Sequence, residues 1–123
     1  MAEIVPCVGV DIVEIARIEG AINRWGKRFL NRVYTEAERE FCRGRVSELA
    51  ARFAAKEAVM KSLGTGRREI AWREIEILPN RRGQPLIYLH GRARSRAEKL
   101  GVLELNISLS HSRELAIASV VGR

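Results

Sequence analysis

The 123-residue sequence predicts an α+β fold, a largely antiparallel sheet packed with one long helix and several shorter ones. Apolar residues recur at helical spacing through much of residues 14–63, whereas the second half alternates apolar and polar residues as strands do. A polar turn containing Gly and Pro joins two of those strands. A chain of this length supports one core, so a single domain over residues 1–123 is expected.

The first element, Ile4 to Val13, is β-branched and almost wholly apolar, which predicts a strand whose one charge is Asp11. From Glu14 to about Phe29, Ile15, Ile18, Ile22, Trp25 and Phe29 mark one face of a helix, with Gly26 offering a break. Arg17, Arg24 and Arg28 gather on another face. Thr35-Glu36-Ala37-Glu38 has capping-box spacing and predicts a short helix. Ser47 reads as the N-cap of the longest helix, which ends at Leu63 with Gly64 in the C-cap position, ahead of the loop Gly64-Thr65-Gly66. Ile75 and Ile77, the turn Asn80 to Pro85 and the run Leu86 to His90 predict a hairpin. A basic helix over Gly91 to Leu100 follows, then alternation at Leu103, Leu105, Ile107 and Leu109, and a last strand over Leu115 to Val121. The order expected is β-α-α-α-β-β-α-β-β.

The net charge of +7 attracts polyanions: nucleic acid, an anionic membrane surface, or an acidic protein or phosphorylated small molecule. Aromatic residues are only 6% and do not interleave with the basic ones, and no zinc-finger spacing, RNP-like string or heptad run is present, so no nucleic-acid partner is expected. No apolar run approaches the roughly 20 residues of a membrane span, and the first residues lack the charge pattern of a signal peptide. A cytoplasmic protein without a membrane partner is the expectation. Cys7 and Cys42 have no metal-binding spacing and read as buried free thiols.

Two carboxylates are out of place. Asp11 interrupts an apolar strand, and a buried isolated charge costs several kcal/mol or more without a partner. Glu57 falls on the stripe Ala50, Phe53, Glu57, Met60 that should face the core, with Lys61 four residues on. The plain reading pairs Asp11 with an arginine and Glu57 with Lys56 or Lys61, and makes Gly-Thr-Gly an ordinary turn. Their co-occurrence with excess positive charge instead matches a phosphate-handling site, in which two acids hold a hard cation such as Mg²⁺.

GVDIVEIARIE (9–19) and RFAAKEAVMKSLGTG (52–66), followed in order by NRRGQP (80–85) and ISLSHS (107–112), resemble the 4′-phosphopantetheinyl transferases of the small bacterial holo-[acyl-carrier-protein] synthase type. The resemblance spans nearly the whole chain. It implies transfer of the 4′-phosphopantetheine arm of coenzyme A to a serine of apo-acyl carrier protein, releasing adenosine 3′,5′-bisphosphate, in support of fatty acid biosynthesis. It further implies Mg²⁺ held by Asp11 and Glu57, with either Glu57 or a water on the metal taking the serine proton. Lys61 would act on the diphosphate, Arg52 and the backbone of Gly64, Thr65 and Gly66 would cradle phosphates, Gly83 and Pro85 would border the adenine, and His111 and Ser112 would lie near the 3′-phosphate. Arg17 and Arg24, extended by Arg28, would dock the acidic carrier protein. A homotrimer with active sites between subunits is implied as well. Ala51 stands where many relatives carry Gly. Arg67, Arg68, Arg92, Arg94 and Arg96 exceed what this chemistry needs.

Overall fold

The computed structural model describes residues 6–66 and 68–123. Ile4 and Val5 of the expected first strand, and Arg67, lie outside them. The elements are β1 (Cys7–Glu14), α1 (Ile15–Trp25), α2 (Lys27–Val33), α3 (Glu36–Cys42), α4 (Val46–Ser62), a 3₁₀ turn (Trp72–Glu74), β2 (Ile75–Pro79), β3 (Pro85–Leu89), α5 (Gly91–Leu100), β4 (Leu105–His111) and β5 (Leu115–Gly122). The fold is α+β with every strand pair antiparallel, divided between a three-stranded sheet in the order β1-β5-β4 and the separate hairpin β2-β3.

The expected helix over residues 14–29 is two helices, because Gly26 adopts φ +55 and breaks the first at Trp25. The capping box at Thr35 is present: its side chain accepts from the Glu38 amide at 3.2 Å, while the Glu38 carboxylate accepts from the Thr35 amide at 2.9 Å. Ser47 is not the N-cap expected of it. Arg43 (φ 49) and Gly44 (φ 74) turn the chain through left-handed backbone, so α4 starts at Val46 with Arg45 at its N-cap. The Arg45 guanidinium points back to close α3, donating to the carbonyls of Cys42 (2.9 Å) and Phe41 (2.7 Å).

α4 departs from the one-striped helix expected of it. It is buried on almost every side, packing on β1 and β5 and also against α1, α3 and β2. Its alanines make this possible: Ala50, Ala51, Ala54, Ala55 and Ala58 are all buried and let neighbouring backbones come close. Ala51, where the resemblance leads one to expect Gly, is accommodated within the core. The closest approach is at Gly9 of β1, where a Cβ would lie 2.0 Å from the Ala58 carbonyl oxygen. β1 therefore lies directly on the last two turns of α4, and Asp11, two residues on and on the same side of the sheet as Gly9 and Val13, is carried to Lys61.

The other side of this sheet is bare. Val8, Val10 and Ile12 of β1 are 64%, 53% and 56% exposed, and Leu115, Ile117 and Val121 of β5 continue the apolar surface. Both cysteines are free: Cys42 is buried, where desolvation pushes its thiol up to about 11, and Cys7 is only half-buried.

Candidate active site

The cluster at the C-terminal end of α4 is built from two elements. The Lys61 ammonium donates to the Asp11 carboxylate at 2.8 Å and to the Val10 carbonyl at 3.2 Å. Lys61, and no arginine among the described residues, is therefore the cation paired with the strand acid. The hydrogen bond to Asp11, then its charge and that of the half-buried Glu57, hold the exposed Lys61 above its ordinary value, so it is a cation at neutral pH. Two carboxylates converge their charge on one ammonium at a helix end.

Directly beyond lies the Gly64-Thr65-Gly66 loop. Gly64 takes φ +65 and its amide donates to the Lys61 carbonyl at 3.1 Å, and the Thr65 amide donates to that of Met60 at 3.0 Å. The turn satisfies the carbonyls of Met60 and Lys61 in the last turn of α4. Gly66 then lines a groove of about 940 Å³ rimmed by Arg17, Arg32, Arg68 and Arg92. Its apolar wall includes Trp25, Phe29, Phe53 and Trp72, with Phe53 stacked on Trp72 at 4.7 Å between ring centroids. Loop and groove are thus continuous: one end meets the acid–lysine cluster, the other a basic cleft with an apolar wall.

Of the docking arginines, Arg17 rims this groove, while Arg24 lies over the exposed Trp25 ring at 4.9 Å and Arg28 is exposed on α2. Gly83 (φ +85) sits at the β2-β3 turn, organised by the Asn80 side chain, which accepts from the amides of Arg82 and Gln84, and Pro85 opens β3. His111 ends β4 and is exposed, and the Ser112 hydroxyl accepts from the amides of Glu114 and Leu115 to shape the β4-β5 turn.

Arg52, expected beside the phosphates, lies apart from this cluster. Its side chain is buried, with Nε donating to the Ile77 carbonyl at 3.1 Å, Nη1 to Glu48 Oε2 at 2.7 Å, and its guanidinium 4.6 Å from the Phe41 ring centroid. Nine residues along a helix is two and a half turns, so Arg52 faces away from Lys61 and braces β2.

Sequence reasoning also missed a buried ion pair. Lys56 Nζ donates to Glu38 Oε1 at 2.7 Å and to the carbonyls of Trp72 (3.0 Å) and Ile75 (2.5 Å), with both side chains fully buried. The second Glu38 oxygen accepts from the Ile77 amide at 2.8 Å. Burial lowers the Lys56 pKa, opposed by the charge and hydrogen bond of Glu38. The pair ties α3, α4 and β2 together one residue before Glu57. A lysine inside the alanine-rich run AARFAAKEA was the signal that could have found it.

A small α+β fold, a carboxylate–lysine cluster beside a glycine-rich loop, and a basic groove opening from that loop are the features of an enzyme that handles phosphate groups. Comparison with known proteins narrows the class. The family model for the 4′-phosphopantetheinyl transferase superfamily matches residues 7–120. The holo-[acyl-carrier-protein] synthase of Herpetosiphon aurantiacus is 52% identical over 121 residues, covering 93% of this chain and 95% of the relative, and that of Dehalococcoides mccartyi is 51% identical over 115 residues, covering 94% and 96%. Among solved structures, the Helicobacter pylori holo-[acyl-carrier-protein] synthase in complex with coenzyme A superposes with a TM-score of 0.86 at 35% identity, covering 94% of this chain and 99% of that one. A coenzyme A complex from Chronobacterium ammoniagenes gives 0.87 at 31% identity, covering 98% of both chains. The chain belongs to the holo-[acyl-carrier-protein] synthase family of the 4′-phosphopantetheinyl transferase superfamily.

Proposed function

We propose that the chain transfers the 4′-phosphopantetheine arm of coenzyme A to a serine of apo-acyl carrier protein, yielding holo-acyl carrier protein and adenosine 3′,5′-bisphosphate. One observation carries the assignment of residues: the Asp11–Lys61 pair with Glu57 beside it adjoins a loop that opens into the arginine-rimmed groove. The serine oxygen forms a bond to the pantetheine-bearing phosphorus as that phosphorus releases its bridging oxygen to the departing bisphosphate. Glu57, directly or through a water, accepts the serine proton. Lys61, held cationic by Asp11, stabilises charge on the leaving phosphate and can return a proton to it. The backbone of Gly64, Thr65 and Gly66 positions the diphosphate between the two.

Asp11 and Glu57 fit a hard divalent cation. Asp11 already turns its carboxylate onto a positive charge, and among the described residues no cluster of three or more His, Cys, Asp or Glu gathers that would suit a fully protein-ligated metal. Mg²⁺ takes one or two carboxylates with waters and substrate phosphates, and would supply charge neutralisation at the diphosphate. The acidic acyl carrier protein docks along Arg17, Arg24 and Arg28, where opposite charge steers encounter. The bare apolar face of the β1-β5-β4 sheet supports a homotrimer, because exposed patches of this kind are normally covered by another subunit. In such an assembly Gly83, Pro85, His111 and Ser112 serve a coenzyme A site between subunits. Free thiols at Cys7 and Cys42 accord with the cytoplasm, and none of the described helices is long and apolar enough to cross a membrane.

The test is intact mass spectrometry of apo-acyl carrier protein incubated with the protein, coenzyme A and Mg²⁺. A gain of one phosphopantetheine arm, abolished by EDTA and reduced by at least about 100-fold in rate in Glu57→Gln and Asp11→Asn, is the expected result. Full activity of either variant would remove that residue from the site.

A further inference from the structure

Five arginines in the second half exceed what the reaction needs, and for the described ones the structure accounts unequally. Arg92 pairs with Glu74, Arg94 pairs with Glu98 one turn away, and Arg68 rims the groove. Arg96 differs. It is half-buried, no carboxylate among the described residues lies within ion-pair distance of it, and its Nε donates at 3.0 Å to the carbonyl of Leu63, the residue that caps α4. Its Nη2 sits 3.6 Å from where a Cβ on Gly64 would be, so the guanidinium covers the first residue of the Gly-Thr-Gly loop.

The location gives this contact a consequence. The C-terminus of a helix carries about half a negative charge from its unsatisfied carbonyls, so it is the wrong end for an anion. α4 nevertheless delivers its C-terminus to the loop assigned to the diphosphate. A cation must cancel the field there before a phosphate can approach, and the last turn of α4 contributes only Lys61, itself drawn onto Asp11. Arg96 reaches in from α5 to the last carbonyl and leaves the rest of its charge over Gly64.

We propose that Arg96 is a coenzyme A-binding residue that offsets the negative end of α4 and draws the diphosphate onto the Gly64-Thr65-Gly66 loop. This rests on the assignment of that loop to the diphosphate under the proposed function. A residue that merely capped α4 would act through its N–H alone, whereas an anion-recruiting residue acts through its charge, and the two are separable. Arg96→Gln retains a donor for the Leu63 carbonyl and loses the charge, and Arg96→Lys retains the charge.

Isothermal titration of coenzyme A and of dephospho-coenzyme A, which keeps the diphosphate but lacks the 3′-phosphate, measures binding without turnover. We expect Arg96→Gln to keep the wild-type melting temperature and bind both ligands about ten-fold more weakly, the scale of one lost charge-assisted contact, with kcat at saturating coenzyme A within about two-fold. Arg96→Lys should recover most of the affinity. Wild-type affinity in Arg96→Gln would overturn the proposal and leave Arg96 a helix cap, and a loss confined to coenzyme A, with dephospho-coenzyme A unaffected, would overturn the assignment to the diphosphate. Failure of the wild-type protein to bind coenzyme A at all would overturn the proposed function and this inference with it.

Discussion

Gly9→Ala adds one methyl group to the strand that carries Asp11. Gly9 has no positive φ, so alanine meets no backbone strain and the effect is steric. The new Cβ would lie 2.0 Å from the Ala58 oxygen and 3.0 Å from both the Ala58 carbonyl carbon and the Ser62 amide nitrogen. Ordinary contact begins near 3.4 Å, so β1 and α4 must part by roughly 3.4 − 2.0 = 1.4 Å at this point. All three opposing atoms are helix backbone, which cannot swing aside as a side chain would. Overpacking of this kind costs about 1–3 kcal/mol or more, which in a chain of this length lowers Tm by about 4–12 °C. The larger effect falls on chemistry, because the Asp11 carboxylate moves with the strand away from Lys61 and Glu57. A displacement of about 1 Å can cost about 100-fold in rate, so kcat/KM should fall by at least that factor. Differential scanning calorimetry and steady-state transfer to apo-acyl carrier protein measure the two effects. Gly20→Ala is the control, since nothing lies within 4 Å of its added Cβ and alanine favours helix by about 1 kcal/mol, so Tm should hold or rise. A Gly9→Ala variant that melts and turns over like wild type would refute the close approach of β1 to α4.

Arg17→Ala should raise the KM for carrier protein several-fold and flatten its dependence on salt while kcat stays within about two-fold, since rim charges act on encounter; kinetics at two ionic strengths would show it. Lys56→Met should destabilise the fold by about 3–5 kcal/mol in urea titration, because the Glu38 carboxylate stays buried without its cation, and Glu38→Gln in the same chain should recover part of that loss. Burial pushes the Glu76 carboxyl up, but hydrogen bonds from the Thr35 hydroxyl (2.6 Å) and His90 (3.1 Å), with the charges of His90 and Lys56, hold it below the usual carboxylate range. Its unfolded-state value is therefore the higher one, so its contribution to stability is complete above that value and is lost as pH falls through the folded one. Glu76→Gln should flatten the fall of Tm between roughly pH 5 and 3, and an unchanged acid limb would remove this carboxylate as its source.

Much of the fold was legible because local chemistry dictates it. Gly26 and the Thr35 box act within a few residues, and the hairpin turn at Asn80 to Pro85 is organised by its own side chain. What depends on distant partners was not. Ser47 is a sound N-cap in isolation, but Arg43 and Gly44 reverse the chain early enough that α4 starts before it. Sequence reasoning expects Arg52 at phosphate and Lys56 as one of two partners for Glu57 because helical spacing cannot reveal that β2 and α3 close over α4, leaving a guanidinium and an ammonium to be satisfied by Glu48, Glu38 and strand carbonyls. The two misplaced acids were visible in the pattern, yet the partner of Asp11 is fifty residues away and follows only from β1 lying on α4.

That dependence explains why the family-specific runs lie so far apart in the chain yet act together. GVD supplies a residue without a side chain, so that a strand can touch a helix, and a carboxylate two positions later on the same side of the sheet. AAKEAVMKSLGTG supplies the small residues that accept that strand, a buried lysine that pins the helix against β2, and then an acid, a base and a glycine loop in the next two turns. Neither run makes a site alone. The alanines and Gly9 are accordingly as much a part of the proposed site as its charged residues: enlarging any of them would leave every functional group in the sequence and separate the Asp11 carboxylate from the lysine whose positive charge it stabilises.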